Sequence, residues 1–348
     1  MSEAERKRRA ALEAADGAAL VVSAAENVRW LLCGRGRPVD VGSSDYTIVL
    51  RDGSAFVLYA DIERSRVESE ERLEELGYET VPFPWHEGRD ATVARLAGNG
   101  VLSDGELERE LAPHRQALGE KDVERYRPAG ADAAAAFVEA LEVLRPELTE
   151  LEAAAQLAAA ARKRDLVARV NLVAGEERQP GHRHPLPTSA PLGRHALLAF
   201  TVERDGLHVS MTRIVCFGPA PERLGELVRA SAEVDAAVIS ASRPGVTHGE
   251  LFEVLADAYE RAGFPQEWRR HHQGGLTGYK GREVFAVPGE PTPLPPVGAV
   301  AWNPSFTGGG KSEDTVLVSP GEPEILTRTP GLPECEAAGV RRPAIVEL

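Results

Sequence analysis

Residues 196–218 read ALLAFTVERDGLHVSMTRIVCFG. Apolar and β-branched residues crowd both sides of Arg204-Asp205-Gly206, so the stretch reads as two strands, 196–203 and 207–218. Upstream, ARVNLVAG (168–175) reads as a third strand. Downstream, residues 220–242 and 248–262 carry apolar positions at helical spacing. DTVLVS (314–319) and PEILTRT (323–329) read as short strands, with Gly, Pro and Asn-Pro breakers crowding 274–310. The loops concentrate near 180–187, 271–283 and 303–313. Strands and helices taking turns in this way predict an α+β domain.

The region before it is different. From Ala131 to Arg164 the chain is rich in alanine, leucine and glutamate, punctuated by Pro146. Thr149 and Glu152 have capping-box spacing, which predicts two helices here. Residues 104–130 are polar with few strand signals and read as a connection. Further upstream, 1–16 reads as a helix, 18–23 as a strand, and YTIVL (46–50) with AFVLYA (55–60) as a hairpin around Asp52-Gly53. Residues 61–76, with Asp61 as a cap, read as an amphipathic helix, and YETVPF (78–83) as a strand. The expected division is a smaller α/β domain over 1–118 and the α+β domain over 119–348.

A length of 348 residues suits two cores rather than one. The net charge of −14 argues against a nucleic-acid partner and against an anionic membrane surface, both of which need a basic footprint. No run approaches the ~20 apolar residues that a membrane span needs. Three distant cysteines, Cys33, Cys216 and Cys335, read as reduced thiols, and a cytoplasmic location is the default expectation.

The chemistry sits in the loops. HHQGGLTGY (271–279) packs two histidines against glycines, and HRHPLPT (182–188) holds two more. With ALLAFTVERDGLHVSMTRIVCFG, AWNPSF (301–306) and Lys311-Ser312-Glu313-Asp314, these stretches follow one another in an order that resembles the creatinase, Xaa-Pro aminopeptidase and methionine aminopeptidase family. The resemblance implies a pita-bread α+β catalytic domain behind a smaller creatinase-type N-terminal domain. Thr212 and Arg213 match the end of the family's Asp-x-Thr-Arg signature, and Lys311 to Asp314 match its Arg-x-Glu-Asp.

The same resemblance implies a pair of metal ions held by two aspartates, a histidine and two glutamates. Those positions fall here on Ala199, Ser210, Gly275, Asn303 and Glu313, and a second family histidine falls on Arg282. One anion and no imidazole cannot hold two divalent ions, so the expectation is no metal and no other cofactor. Creatinase, a metal-free hydrolase of a C–N bond within the family, supplies the pattern that remains. It implies a proton-transferring histidine at His182 or His184, with His271, Glu283 and Glu313 as further catalytic candidates. His272, Tyr279, Asn303, Lys311 and Arg213 are the expected substrate-binding residues. An imidazole titrating near ~6.5 suits general acid and base work. The expected partner is a small-molecule substrate, with a homodimer in which Arg29 or Arg35 reaches the neighbour's site. The alternatives are a lyase, a binding protein without turnover, and a metallo-aminopeptidase whose ligands have moved to His271, His272 and Glu283. Gly308-Gly309-Gly310-Lys311-Ser312 superficially suggests a phosphate loop, but a strand follows where a helix is required, and the motif's first glycine would fall on Ser305.

Overall fold

The computed structural model describes residues 1–40, 44–51 and 53–348. They form two compact units: Met1–Asp122 with Asp205–Leu207, and Val123–Arg204 with His208–Leu348.

The first unit is α/β, as expected. α1 (Glu3–Ala14) starts at Ser2, whose hydroxyl accepts from the Glu5 N–H while the Glu5 carboxylate accepts from the Ser2 N–H. Then come β1 (Ala19–Val22), α2 (Ala25–Leu31), β2 (Thr47–Arg51) and β3 (Ser54–Ala60). β2 and β3 pair antiparallel up to Arg51↔Ser54, although Asp52 of the predicted hairpin turn lies outside the described residues. The single helix expected over 61–76 is instead a broken segment. It runs through a 3₁₀ turn, α3 (Arg64–Arg66), a π turn (Val67–Glu71) and a second 3₁₀ turn. Glu71 explains the break: it is buried, and its carboxylate accepts from the N–H groups of Gly36 and Arg37. Asp61 does not cap the segment; its carboxylate accepts from the Trp85 N–H.

β4 (Glu79–Phe83), α4 (Asp90–Ala97), β5 (Val101–Ser103) and α5 (Glu108–Gln116) complete this unit. Its sheet runs β4-β3-β2-β1-β5, with parallel outer pairs. The expected connection over 104–130 is thus largely helical. Its polarity is misleading because Arg115, buried in α5, is held by Glu108 and Asn27. Arg29 is buried and donates to the Arg35 carbonyl, while Arg35 itself clamps Glu71, Arg72 and Glu75. Arg29 and Arg35, the alternatives for reaching a neighbour, are both engaged within their own unit.

From residue 120 the chain forms α6 (Glu120–Leu141), α7 (Glu150–Arg162), β6 (Val167–Gly175), β7 (His195–Arg204), β8 (Leu207–Cys216), α8 (Glu222–Ala241) and α9 (His248–Arg261). The Thr149–Glu152 capping box is present, and Thr247–Glu250 forms another. β9 (Gly274–Thr277), β10 (Val284–Phe285), β11 (Gly298–Trp302), β12 (Asp314–Val318), β13 (Glu324–Ile325), β14 (Glu334–Ala337), β15 (Val340–Pro343) and β16 (Val346–Glu347) follow. One sheet runs β16-β8-β7-β6 and a second β10-β9-β11-β12-β13. β9 lies inside the 271–283 stretch expected to be loop, because it is glycine-rich and fully buried between its two partners. β13 is shorter than expected: Thr327 turns its hydroxyl onto Asp314 instead of extending the ladder.

α8 and α9 bury Val234, Val238, Leu251 and Leu255 against Val300, Trp302 and Val316 of the second sheet. Each such side chain contributes roughly 1.5–3 kcal/mol by leaving water. No helix among the described residues is long and apolar enough to cross a membrane.

Candidate active site

The two larger sheets of the second unit are joined along β8 and β12, where Ser210 exchanges hydrogen bonds with the Thr315 hydroxyl. The Thr212 N–H of β8 donates to the Glu313 carbonyl at 3.0 Å, one residue before β12. Neighbouring side chains in an extended segment point to opposite faces. Asp314 accordingly joins a buried network, accepting from Arg213 at 2.9 Å and pairing with Arg342, which also holds Asp235. Glu313 faces a cavity. Its Oε2 accepts from the Thr212 hydroxyl at 2.6 Å, its Oε1 from Arg282 at 3.0 Å, and Lys311 Nζ lies 3.8 Å from Oε2. Burial alone would raise the Glu313 carboxyl, but Lys311, Arg282 and the Thr212 hydroxyl outweigh it and hold it below its usual value.

The cavity measures about 380 Å³. Arg169 and Leu172 of β6 and Ala199 and Thr201 of β7 form one wall. His184, His208, His272, Arg282, Asn303, Lys311 and Glu313 line the rest. A larger cleft of about 750 Å³ in the first unit is lined by α1 and the β2–β3 strands and contains none of the predicted residues.

Three imidazoles gather at the rim. His184 Nε2 and His271 Nε2 are 2.9 Å apart, so a single proton lies between them. The His271 and His272 rings stack, with centroids 4.4 Å apart. Burial lowers all three pKa values, and Lys311 lowers each further. His272 falls to about 4, and His271 falls further still, so these rings are neutral at neutral pH. His272 Nδ1 accepts from the Gly274 N–H at 3.3 Å, and His271 Nδ1 is buried without a partner. Lys311 is buried, and burial pulls its ammonium pKa below the ordinary value. Asn303 is buried too, and its Oδ1 has no partner.

Of the residues predicted from sequence, the structure brings together His184, His271, His272, Asn303, Lys311 and Glu313. His271 joins this group through His184 without lining the cavity itself, and His182, Arg213, Tyr279 and Glu283 also lie off its wall. His182 is exposed and donates from Nδ1 to the Arg178 carbonyl at 2.9 Å; it borders a separate narrow cleft. Arg213 is consumed by Asp314 and the Thr327 carbonyl, and Tyr279 is buried with Arg125 at its hydroxyl. Glu313 is the single carboxylate among the described lining residues, and its charge is already met by cations. A free carboxylate for a cationic substrate group is therefore missing. Arg169, Thr201 and His208 escaped the sequence reading. For Thr201 and His208 the signal lies in the strand alternation of β7 and β8, usable only once the cavity-facing side is known; Arg169 falls at the break in register between Ala168 and Val170, where alternation gives none.

The positions matched to metal ligands are equally specific. Ala199 offers a methyl group, and the Ser210 hydroxyl is buried against Thr201 at 2.9 Å. Gly275 sits at φ 148° with the Val284 carbonyl oxygen 2.1 Å from where a Cβ would be, so no side chain fits there. With Glu313 facing Arg282 and Lys311, this set does not fit a pair of divalent ions. His184, His271 and His272 do place one ligand atom each within 4.8 Å of one another, an arrangement that could take one ion. His184, rather than the predicted Glu283, completes that trio.

Residues 124–320 match the model of metallopeptidase family M24. A comparison with curated proteins finds no match. Among solved structures, the chain is similar to the X-Pro aminopeptidase from Thermotoga maritima. Identity is 19%, the match covers 99% of this chain and 100% of that one, and the TM-score is 0.75. It is also similar to the dipeptidase PepE from Mycobacterium ulcerans, at 18% identity, 99% and 98% coverage and TM-score 0.73. A third likeness is to the N-terminal domain of the FACT complex subunit SPT16 from Cicer arietinum (chickpea), at 10% identity, 94% and 96% coverage and TM-score 0.67. At these identities the likenesses speak for the fold.

Proposed function

Since the chain belongs to metallopeptidase family M24, whose members are hydrolases, and carries the pita-bread domain behind a smaller α/β domain, we propose that it hydrolyses a C–N bond of a small polar metabolite without the family's paired metal ions. The observation that carries this reading is the ligand set itself: Ala199, Ser210, Gly275 and Asn303, with Glu313 held by Arg282 and Lys311.

In this reading His184 is the proton carrier. It lines the cavity, and its lowered pKa leaves it neutral and able to accept a proton from an attacking water. The 2.9 Å contact to His271 fixes its ring and provides a second nitrogen over which the proton is shared. His184 then returns the proton to the leaving nitrogen. The test is turnover of a panel of amides and ureido compounds in the presence of a chelator, with elemental analysis of the purified protein. Activity that survives chelation and is lost in His184→Ala supports the reading. Activity that tracks two stoichiometric metal ions overturns it.

A second reading, a binding domain without turnover, is favoured by Glu313, whose carboxylate accepts from Thr212 and Arg282, faces Lys311 at 3.8 Å, and is not free to act as a base. Ligand-induced stabilisation with no turnover of any panel member would select it.

A further inference from the structure

The charges on the cavity wall do not cancel. Arg169 is matched by Glu203, and Arg183 nearby is matched by Glu267. Arg282 and Lys311 are left to share Glu313. Arg282 takes Oε1 at 3.0 Å, and Oε2 already accepts the Thr212 hydroxyl. Lys311 Nζ stops 3.8 Å short of Oε2, beyond hydrogen-bond reach, although Lys311 is only 5% exposed. A buried ammonium in that state is costly, and an anion supplied from outside relieves it.

Two neighbours refine the ligand. His272 accepts the Gly274 N–H on Nδ1, so its neutral ring carries its own proton on Nε2 and is a donor at the same wall. Asn303 is 3% exposed, with a buried Oδ1 that nothing satisfies. An orphaned acceptor in the same cavity as a cation calls for an N–H on the same molecule that brings the anion.

We infer that this cavity binds a small monocarboxylate, its anion against Lys311 and His272 and an adjacent N–H on Asn303 Oδ1. N-acylated or N-carbamoylated amino acids have that chemistry. Two cations against one carboxylate leave room for one negative charge, not two. The inference rests on the cavity being the reaction site, and it names the charged end of the substrate.

The test is isothermal titration of the full chain with N-acetylglycine and with its neutral counterpart N-acetylglycinamide. The acid is expected to bind saturably and the amide more weakly by about tenfold or more, the scale of one charge-assisted contact. Lys311→Met should erase the preference for the acid and Lys311→Arg should restore most of it. Asn303→Leu should bring N-acetylglycine down towards acetate. Equal affinity for acid and amide in the unaltered protein overturns the inference, and that comparison decides even if Lys311→Met does not fold. So does undiminished acid preference in a folded Lys311→Met. Acid binding without any turnover would sink the hydrolase reading and leave this one standing. Turnover of neutral amides as fast as acids would do the reverse.

Discussion

At the scale of single residues, the cavity is a reversal of charge. Where the family resemblance expects anions around cations, the described residues place Lys311 and Arg282 around one carboxylate. Two predictions belong here. His184→Ala should lower turnover by ~10²-fold or more while leaving substrate affinity within a few-fold, because its role is proton transfer; steady-state kinetics separates the two. His272 makes a pH prediction. Its folded pKa, about 4, lies below the ordinary value, so the unfolded chain binds more protons between about 4 and 6.5. Its contribution to stability is therefore complete above that window and fades as pH falls through it. His272→Gln should flatten that part of the stability curve in paired denaturant titrations. The site was about half legible beforehand. His184, His271, His272, Asn303, Lys311 and Glu313 were named from loops where ionisable residues cluster. Arg213 lies off the cavity, and nothing in the wording of a strand says that Asp314 and Thr327 will claim its guanidinium.

At the scale of elements, β9 and the helix caps decide most. Gly275→Ala would push a methyl group into the Val284 carbonyl and strain a positive φ, and should cost about 2 kcal/mol or more. A Gly275→His variant should fare worse and should gain no tight metal binding, which melting in the presence and absence of Mn²⁺ would read. Thr247→Ala removes the cap of α9 and should cost about 1 kcal/mol, with Thr149→Ala similar at α7. The same elements show what sequence conveys. Long periodic helices and β-branched strands were legible because propensity and burial agree there. The 61–76 segment was not, since its pattern is helical while Glu71 is drawn inward by the Gly36 and Arg37 N–H groups. β9 was hidden for the opposite reason: glycines that usually mark turns here permit close pairing with β10 and β11.

At the scale of the molecule, a cationic cavity sits in a chain of net charge −14. An anionic ligand approaches against the overall field and is attracted only at close range. Its association rate should therefore rise modestly between low and physiological salt, as screening reaches a Debye length of ~8 Å, while a neutral amide shows no such change; stopped-flow measurements would check this. A different consequence follows from β16. It pairs in parallel with the end of β8, Val346 with Val215 and Glu347 with Cys216, and the Leu348 N–H closes onto the Cys216 carbonyl. During translation, that end of β8 emerges many helices and strands before the segment that covers it. At ~5–20 residues per second the nascent chain waits for seconds with an open strand edge, an invitation to chaperones and to mispairing on crowded polysomes.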